Sequence, residues 1–93
     1  MQFEWDERKN QANIKKHGVS FYAAQYAFQD KKRVILDDTK HCKSEKRYFC
    51  LAKINNKVIT VRFTLRNNNI RIFGAGFWRK GEKKYEEENS IHK

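Results

Sequence analysis

The sequence predicts a single α+β domain spanning residues 1–93, with two N-terminal helices packed on an antiparallel β-sheet and a short C-terminal helix. Apolar residues recur at helical spacing before residue 30, and residues 33–77 hold β-branched and aromatic runs separated by asparagines. The last residues favour a helix but are nearly without apolar side chains. A chain of 93 residues buries only a modest core. Any active site must therefore be a surface cleft built from a few side chains.

The N-terminal segment predicts a short strand followed by a helix. The strand covers Gln2 to Trp5. Asp6 is a favourable N-cap, because its carboxylate accepts hydrogen bonds from the free amides of a first helical turn. The helix is expected to run to about His17, where Gly18 can adopt the left-handed conformation that ends a helix.

A second helix is predicted after Ser20, whose hydroxyl is a good N-cap. Phe21, Ala24 and Phe28 fall on one face at helical spacing. The polar residues 30–32 end this segment. The sequence therefore predicts two short helices joined by a glycine turn.

The middle of the chain predicts an antiparallel meander. Asparagines at 55–56 and 67–69 mark two tight turns, because asparagine tolerates the positive φ angles that such turns require. Residues 41–46 are polar and predict a loop. The predicted strands are Arg33–Asp37, Arg47–Ile54, Val58–Leu65 and Ile70 to about Phe77.

Alternation along the third of these strands gives the sheet two different faces. Ile59, Val61, Phe63 and Leu65 point one way, whereas Thr60, Arg62 and Thr64 point the other. One face of the sheet is therefore apolar and the other partly cationic. Residues 79–89 then predict a C-terminal helix that is peripheral or needs a partner.

The charge of the chain narrows its partners. Lys and Arg number 21 against 11 Asp and Glu, a formal net charge of +10, and the excess lies in residues 1–81. A positive field of this size attracts polyanions, of which nucleic acid is the commonest. The alternatives are a charge that only maintains solubility, or binding to an anionic membrane. No basic amphipathic helix of the length that membrane binding needs is predicted.

Other features bear on compartment and cofactors. The N-terminus lacks a signal-peptide pattern and no segment is apolar enough to span a bilayer, so a cytoplasmic location is expected. Cys42 and Cys50 are then expected to be reduced, with Cys50 in the core. The pair His41–Cys42 has no partner at metal-ligand spacing. The sequence therefore predicts neither a metal site nor a cofactor.

Motifs along nearly the whole chain resemble the BrnT family of toxins. They occur in the family's order, which makes the resemblance more specific than one short motif. They are Phe3-Glu4-Trp5-Asp6 with Lys9 and Asn13, Lys16-His17-Gly18-Val19-Ser20-Phe21 with Ala24, Phe28 and Asp30, Ser44-Glu45-x-Arg47, Thr64-x-Arg66, Ile70-Arg71-Ile72, and Glu82-x-x-Tyr85-Glu86.

The resemblance implies a RelE-like fold and an endoribonuclease toxin of a type II toxin–antitoxin system that cleaves RNA and arrests translation. It further implies neutralisation by a BrnA-like antitoxin with a ribbon–helix–helix domain, through which alone the toxin would reach operator DNA. One departure is at Gly76, where the family usually has arginine. Arg79 and Lys80 are close enough in sequence to supply the missing charge; otherwise the toxin is attenuated.

RNA cleavage suits a chain without a metal-ligand cluster. The 2′-hydroxyl of RNA is itself the nucleophile, so the protein need only orient it, move its proton and stabilise charge on the phosphate. Arg66 and Arg71 match family positions and are assigned to phosphate contact, since a guanidinium binds phosphate with two parallel hydrogen bonds. Alternatively, Arg66 and Arg71 are solvent-exposed arginines of a hairpin without a role in binding. Arg47 is similar but is expected to pair with Glu45.

The candidates for proton transfer are His17, Glu45 and Tyr85, and each has a structural alternative. His17 is also placed to cap a helix C-terminus, Glu45 to form an ion pair, and Tyr85 to dock the last helix on the sheet. Trp78, with Phe77 beside it, is a candidate for stacking on bases, or else belongs to the core or an antitoxin footprint. Arg79 and Lys80 complete the predicted RNA-binding set.

Three functions follow from these residues. The first is a metal-independent endoribonuclease toxin, in which Arg66, Arg71 and Arg79 share one groove. The second is an RNA- or DNA-binding module without catalysis. The third is an attenuated protein that only engages its antitoxin.

Overall fold

The computed structural model describes residues 2–40 and 44–90, so His41 and Cys42 lie outside the described residues. These residues form one five-stranded sheet with the strand order β1-β5-β4-β3-β2, three α-helices and one 3-10 helix. The elements are β1 (Phe3–Trp5), α1 (Glu7–His17), α2 (Phe21–Ala24), the 3-10 helix (Gln25–Gln29), β2 (Val34–Asp37), β3 (Arg47–Ile54), β4 (Lys57–Arg66), β5 (Asn69–Gly76) and α3 (Arg79–Glu88). No helix of the described residues is long and apolar enough to cross a membrane.

The predicted ends of α1 are confirmed. The Asp6 carboxylate accepts hydrogen bonds from the amides of Arg8 and Lys9. Gly18 has φ 73°, and its amide donates to the Ile14 carbonyl. Both termini therefore have the local interactions that the sequence predicted.

The structure corrects the prediction of a second N-terminal helix. Ser20 caps it as expected, accepting from the Ala23 amide, but only Phe21–Ala24 are α-helical and Gln25–Gln29 continue as a 3-10 helix. Phe21, Ala24 and Ala27 are all fully buried, and they are three residues apart. A 3-10 helix has three residues per turn, so it keeps this row against the sheet. The N-terminal part thus has one α-helix of several turns, not two.

The predicted meander is confirmed for β2 to β5, which pair antiparallel in chain order. The sheet is nevertheless not purely antiparallel, because β1 pairs parallel with β5 at its edge. A three-residue strand does not reveal its partner in its sequence. At the turns, Asn55, Asn56, Asn67 and Asn68 all have the positive φ angles predicted for them.

The two faces of the sheet carry different layers. The apolar face packs against α2 and the 3-10 helix and forms the main core, which contains Phe21, Ile59, Val61 and Ile72. Cys50 is part of this core, as predicted, and burial raises the pKa of its thiol to about 12. The opposite face carries α3 at one end and leaves a row of cations uncovered at the other. We call the uncovered part the cationic face; it carries Arg47, Arg62, Thr64, Arg66 and Arg71.

The buried side chain of Tyr85 anchors α3 on the sheet. Tyr85 is buried against Leu51 and Val58. Its hydroxyl donates a 2.6 Å hydrogen bond to Oδ2 of Asp30, which also accepts from the Lys53 amide. At the end of the helix the Asn89 side chain donates to the Lys32 carbonyl. The helix that has almost no apolar residues is therefore held mainly by one aromatic ring and two side-chain hydrogen bonds.

Replacing Tyr85 with phenylalanine is expected to lower the free energy of unfolding by about 1.5 kcal/mol, since the ring stays and one hydrogen bond to a carboxylate is lost. Desolvation acts to raise the pKa of Asp30, but hydrogen bonds from Tyr85, Lys53 and Lys32 outweigh it and lower the pKa. The stabilisation is therefore present above the ordinary aspartate pKa of about 4 and is lost as pH falls through the lower folded pKa. Urea unfolding of both proteins at neutral and acidic pH measures this. A difference of equal size throughout would contradict it.

Candidate functional site

A cleft of about 520 Å³ lies where α1 passes the edge of the sheet beside the cationic face. Its wall on the helix side is basic, and its floor belongs to β4 and β5. The cleft is lined by Lys9, Ala12, Asn13, Lys16, His17, Arg62, Phe73, Gly74, Ala75 and Trp78.

The helix wall follows from helical spacing. Lys9, Asn13 and Lys16 are four and three residues apart, so they share one face of α1 with His17. Asn13 fixes this face against β5, because its amide donates to the Ala75 carbonyl and accepts from the Ala75 amide. Asn13 thereby satisfies the part of the β5 edge that β1 is too short to cover.

The floor of the cleft contains a β-bulge. The register between β4 and β5 shifts at Arg62 and Phe63, which leaves Phe73 without a paired residue on β4. A bulge turns a side chain out of its regular alternation. The guanidinium carbons of Arg47 and Arg62 lie 4.6 Å and 5.0 Å from the centre of the Phe73 ring. One ring thus holds two arginines from two strands.

The far wall of the cleft is an aromatic pair. The rings of His17 and Trp78 meet edge to face with their centres 5.1 Å apart. Gly76 makes room for this arrangement, since a Cβ there would lie 2.6 Å from the Trp78 ring. The indole therefore occupies the space that a side chain at position 76 would enter.

Arg66 and Arg71 lie on the cationic face but outside the cleft. Arg66 donates to Glu45 at 2.9 Å, and Arg71 donates to Glu4 at 2.9 Å. These hydrogen bonds hold the pKa values of both carboxyl groups below their usual range. Glu45 thus pairs with Arg66, which corrects the predicted pairing of Glu45 with Arg47. Both predicted phosphate ligands already have a carboxylate partner.

The remaining predicted residues lie towards α3. Tyr85 is 2% exposed beneath the helix, and burial followed by its hydrogen bond to Asp30 raises its pKa to about 12. Tyr85 therefore lies where its alternative role, docking the last helix on the sheet, requires it. Arg79 and Lys80 are exposed in the first turn of α3, directly after Trp78, and do not line the cleft.

The cleft therefore brings together His17 and Trp78 from the predicted set, with Arg47 joined to it through Phe73. The sequence reasoning missed Lys9, Lys16 and Arg62 as site residues. Helical spacing from Lys9 through Asn13 would have found the first two, and alternation along β4 had already placed Arg62 on the cationic face. Within residues 2–40 and 44–90, no three His, Cys, Asp or Glu side chains form a group suited to a metal ion.

The chemistry of the cleft is that of an anion site with aromatic walls. Three cationic side chains meet an imidazole and an exposed indole, and none of the described residues that line the cleft is a carboxylate. Such a site can neutralise a phosphate, stack on an unpaired base and move a proton at the imidazole.

The comparisons with known proteins agree with this chemistry. Residues 5–82 match the model of a family described as the ribonuclease toxin, BrnT, of type II toxin–antitoxin systems. No curated protein matches the chain.

Proposed function

We propose that this chain, which belongs to the BrnT family of ribonuclease toxins of type II toxin–antitoxin systems, cuts RNA in the cleft between α1 and the cationic face. The observation that carries the proposal is the convergence of Lys9, Lys16 and Arg62 with the His17–Trp78 pair. The cations supply the phosphate site that a ribonuclease needs, and the imidazole supplies a group for proton transfer.

The proposed reaction uses the RNA's own nucleophile. His17 takes the proton of a 2′-hydroxyl, whose oxygen attacks the adjacent phosphorus. The bond from phosphorus to the 5′-oxygen breaks, and that oxygen takes a proton from water. The cations stabilise the charge that grows on the phosphate oxygens. Trp78 stacks on a neighbouring base, which favours unpaired RNA.

Cleavage of single-stranded RNA by the purified chain in EDTA tests the function, and we expect it to proceed because the 2′-oxygen is the nucleophile. Products with 2′,3′-cyclic phosphate ends are expected. An RNA with one 2′-deoxy nucleotide at the cut position should remain intact there. If that RNA is cut equally, the mechanism is wrong; if no RNA is cut with or without ribosomes, the proposal fails.

A matched pair of lysines tests the place of the reaction. Replacing Lys16 with glutamine is expected to raise KM for RNA about fivefold or more, because a cation in contact with phosphate is lost. Replacing Lys15 removes the same charge from an exposed neighbour that does not line the cleft. Steady-state cleavage rates of the two variants measure the difference. Equal losses would show that only net charge matters.

The wider role follows from the family and stays a proposal. We infer arrest of translation through RNA cleavage, in the cytoplasm, and neutralisation by a BrnA-like antitoxin with a ribbon–helix–helix domain, through which the complex would bind operator DNA. A positively charged toxin suits an acidic antitoxin segment. Co-expression with a neighbouring acidic reading frame that relieves toxicity would support the pairing.

A second candidate is an attenuated protein that binds RNA or antitoxin without cutting. The observation that favours it is the Trp78 indole above Gly76, where the family's arginine is absent. Restoring arginine alone would drive its side chain into the indole, so the informative variant is Gly76→Arg combined with Trp78→Ala. If only this double variant cuts RNA, the natural chain is attenuated. If the natural chain cuts as well, it is not.

A further inference from the structure

We infer that Arg47 and Arg62 form the clamp for the RNA phosphate and that Phe73 is the residue that positions both of them. This inference rests on the proposed function of the cleft and deepens it. It assigns phosphate binding to the two arginines that contact the Phe73 ring. Arg66 and Arg71, in contrast, form salt bridges with glutamates.

The partners of the four arginines differ in kind. Arg66 and Arg71 each donate from one guanidinium nitrogen to a glutamate, which offsets the positive charge and occupies part of the hydrogen-bond donors. Arg47 and Arg62 instead contact the Phe73 ring, and neither forms a salt bridge within the described residues. Arg47 interacts with a carboxylate only through longer-range electrostatics, with the Glu45 that Arg66 binds. An aromatic ring attracts a cation without taking its hydrogen-bond donors. Both guanidinium groups therefore keep their charge and their donors for a phosphate.

The geometry suits a single polyanion. Both guanidinium carbons are within 5.0 Å of one ring centre, so they lie within about 10 Å of each other. Arg62 lines the cleft, and Arg47 reaches the same ring from β3. Two guanidinium groups no further apart than this can contact the same stretch of RNA backbone.

The pairing of β5 with β4 places Phe73 beside Arg62. Ile72 pairs with Phe63 in the core, so alternation along β5 places Phe73 on the opposite, cationic face. The register shift then leaves Phe73 without a partner beside the Arg62–Gly74 pair. Gly74 beside it leaves the Arg62 side chain room, since a Cβ there would lie 3.3 Å from Arg62 Cδ. Each arginine that is held in place before binding saves the ordering cost of a long side chain. Phe73 thus lowers the free-energy cost of ordering the two arginines when a phosphate binds.

The test measures the binding of a 2′-O-methyl oligoribonucleotide, which lacks the nucleophile, so binding is separated from cleavage. R47Q and R62Q are each expected to weaken binding about fivefold and to reduce the slope of log Kd against log salt by about 0.7. Arg8→Gln, an exposed arginine on α1 outside the cleft, is the matched control. F73L should weaken binding about tenfold, whereas F73Y keeps the ring and should stay within about twofold.

The positioning role is tested in a double-mutant cycle. In the R47Q/R62Q background, F73L should have no further effect on Kd, because Phe73 then has nothing to position. A loss of unchanged size in that background would overturn the inference. On an abasic oligonucleotide the loss caused by F73L should persist; if it disappears, the ring stacks on a base and the clamp is wrong.

The outcomes separate this inference from the proposed function. Cleavage of ordinary RNA with no clamp effect on binding would leave the function and overturn the clamp. If the variants change binding as expected but no RNA is cut, the clamp stands and the proposed cleavage fails. Should F73L not fold, the salt slopes decide: if R47Q and R62Q match the control, the clamp is overturned.

Discussion

Replacing His17 with glutamine is expected to lower kcat for RNA cleavage at least about 100-fold while changing the Kd for uncleaved RNA by less than about threefold. A positioned acid or base contributes roughly two to four orders of magnitude to such reactions. Glutamine keeps a polar side chain of similar reach but cannot exchange a proton. Single-turnover cleavage together with binding of the 2′-O-methyl oligonucleotide separates the two effects.

The same variant decides between two roles for His17. The imidazole ends α1 beside Lys15 and Lys16, where a cation stabilises a helix by about 0.3–1 kcal/mol. If H17Q cuts RNA at the normal rate and only its stability falls, His17 is a capping residue. Unfolding curves of H17Q and of the natural chain supply that comparison.

Replacing Gly81 with alanine is expected to destabilise the protein by about 1–2 kcal/mol, although alanine is the better helix former by about 1 kcal/mol. The added methyl group would overlap Oγ1 of Thr60 and lie 3.4 Å from Cδ2 of Leu51. Thr60 is 6% exposed, so it has little room to move. The steric cost therefore exceeds the gain in helix propensity, and α3 has to shift away from the sheet.

Removing Oγ1 of Thr60 should reverse the sign of the effect of G81A on stability. Oγ1 of Thr60 has no hydrogen-bond partner in the part of the chain that the structure describes, so T60A loses little of its own. In the T60A background, G81A is expected to be neutral or stabilising, because only the propensity gain remains. Chemical unfolding of the four proteins completes the cycle. A G81A effect of the same size in both backgrounds would contradict the steric explanation.

Much of the fold was predictable because local chemistry determines it. Asp6, Gly18 and the asparagine turns act within a few residues of themselves, and alternation along β4 divided the sheet into its two faces. The parallel pairing of β1 was not predictable, since three residues show no partner. The 3-10 helix was missed because Phe21, Ala24 and Phe28 also satisfy α-helical spacing.

The site was predictable only where a residue type carries the chemistry by itself. His17 and Trp78 were predicted in this way, and both line the cleft. Phe73 was not, because its contacts with Arg47 and Arg62 come from two other strands, which no short segment encodes. Arg66 and Arg71 were chosen as arginines flanking a turn, but their glutamate partners come from residues far away in the sequence. Charge alone does not distinguish a free guanidinium from one that is already paired.

The side chain of Asn13 has a consequence for contacts with extended peptides. It occupies the backbone groups of Ala75 that a foreign strand would need for pairing, and β1 beside it offers only three residues. Exposed edge strands are the places where strands of two different chains can pair. Intermolecular strand addition is therefore obstructed on this side, and β2, at the opposite margin, is the longer strand open to it among the residues described.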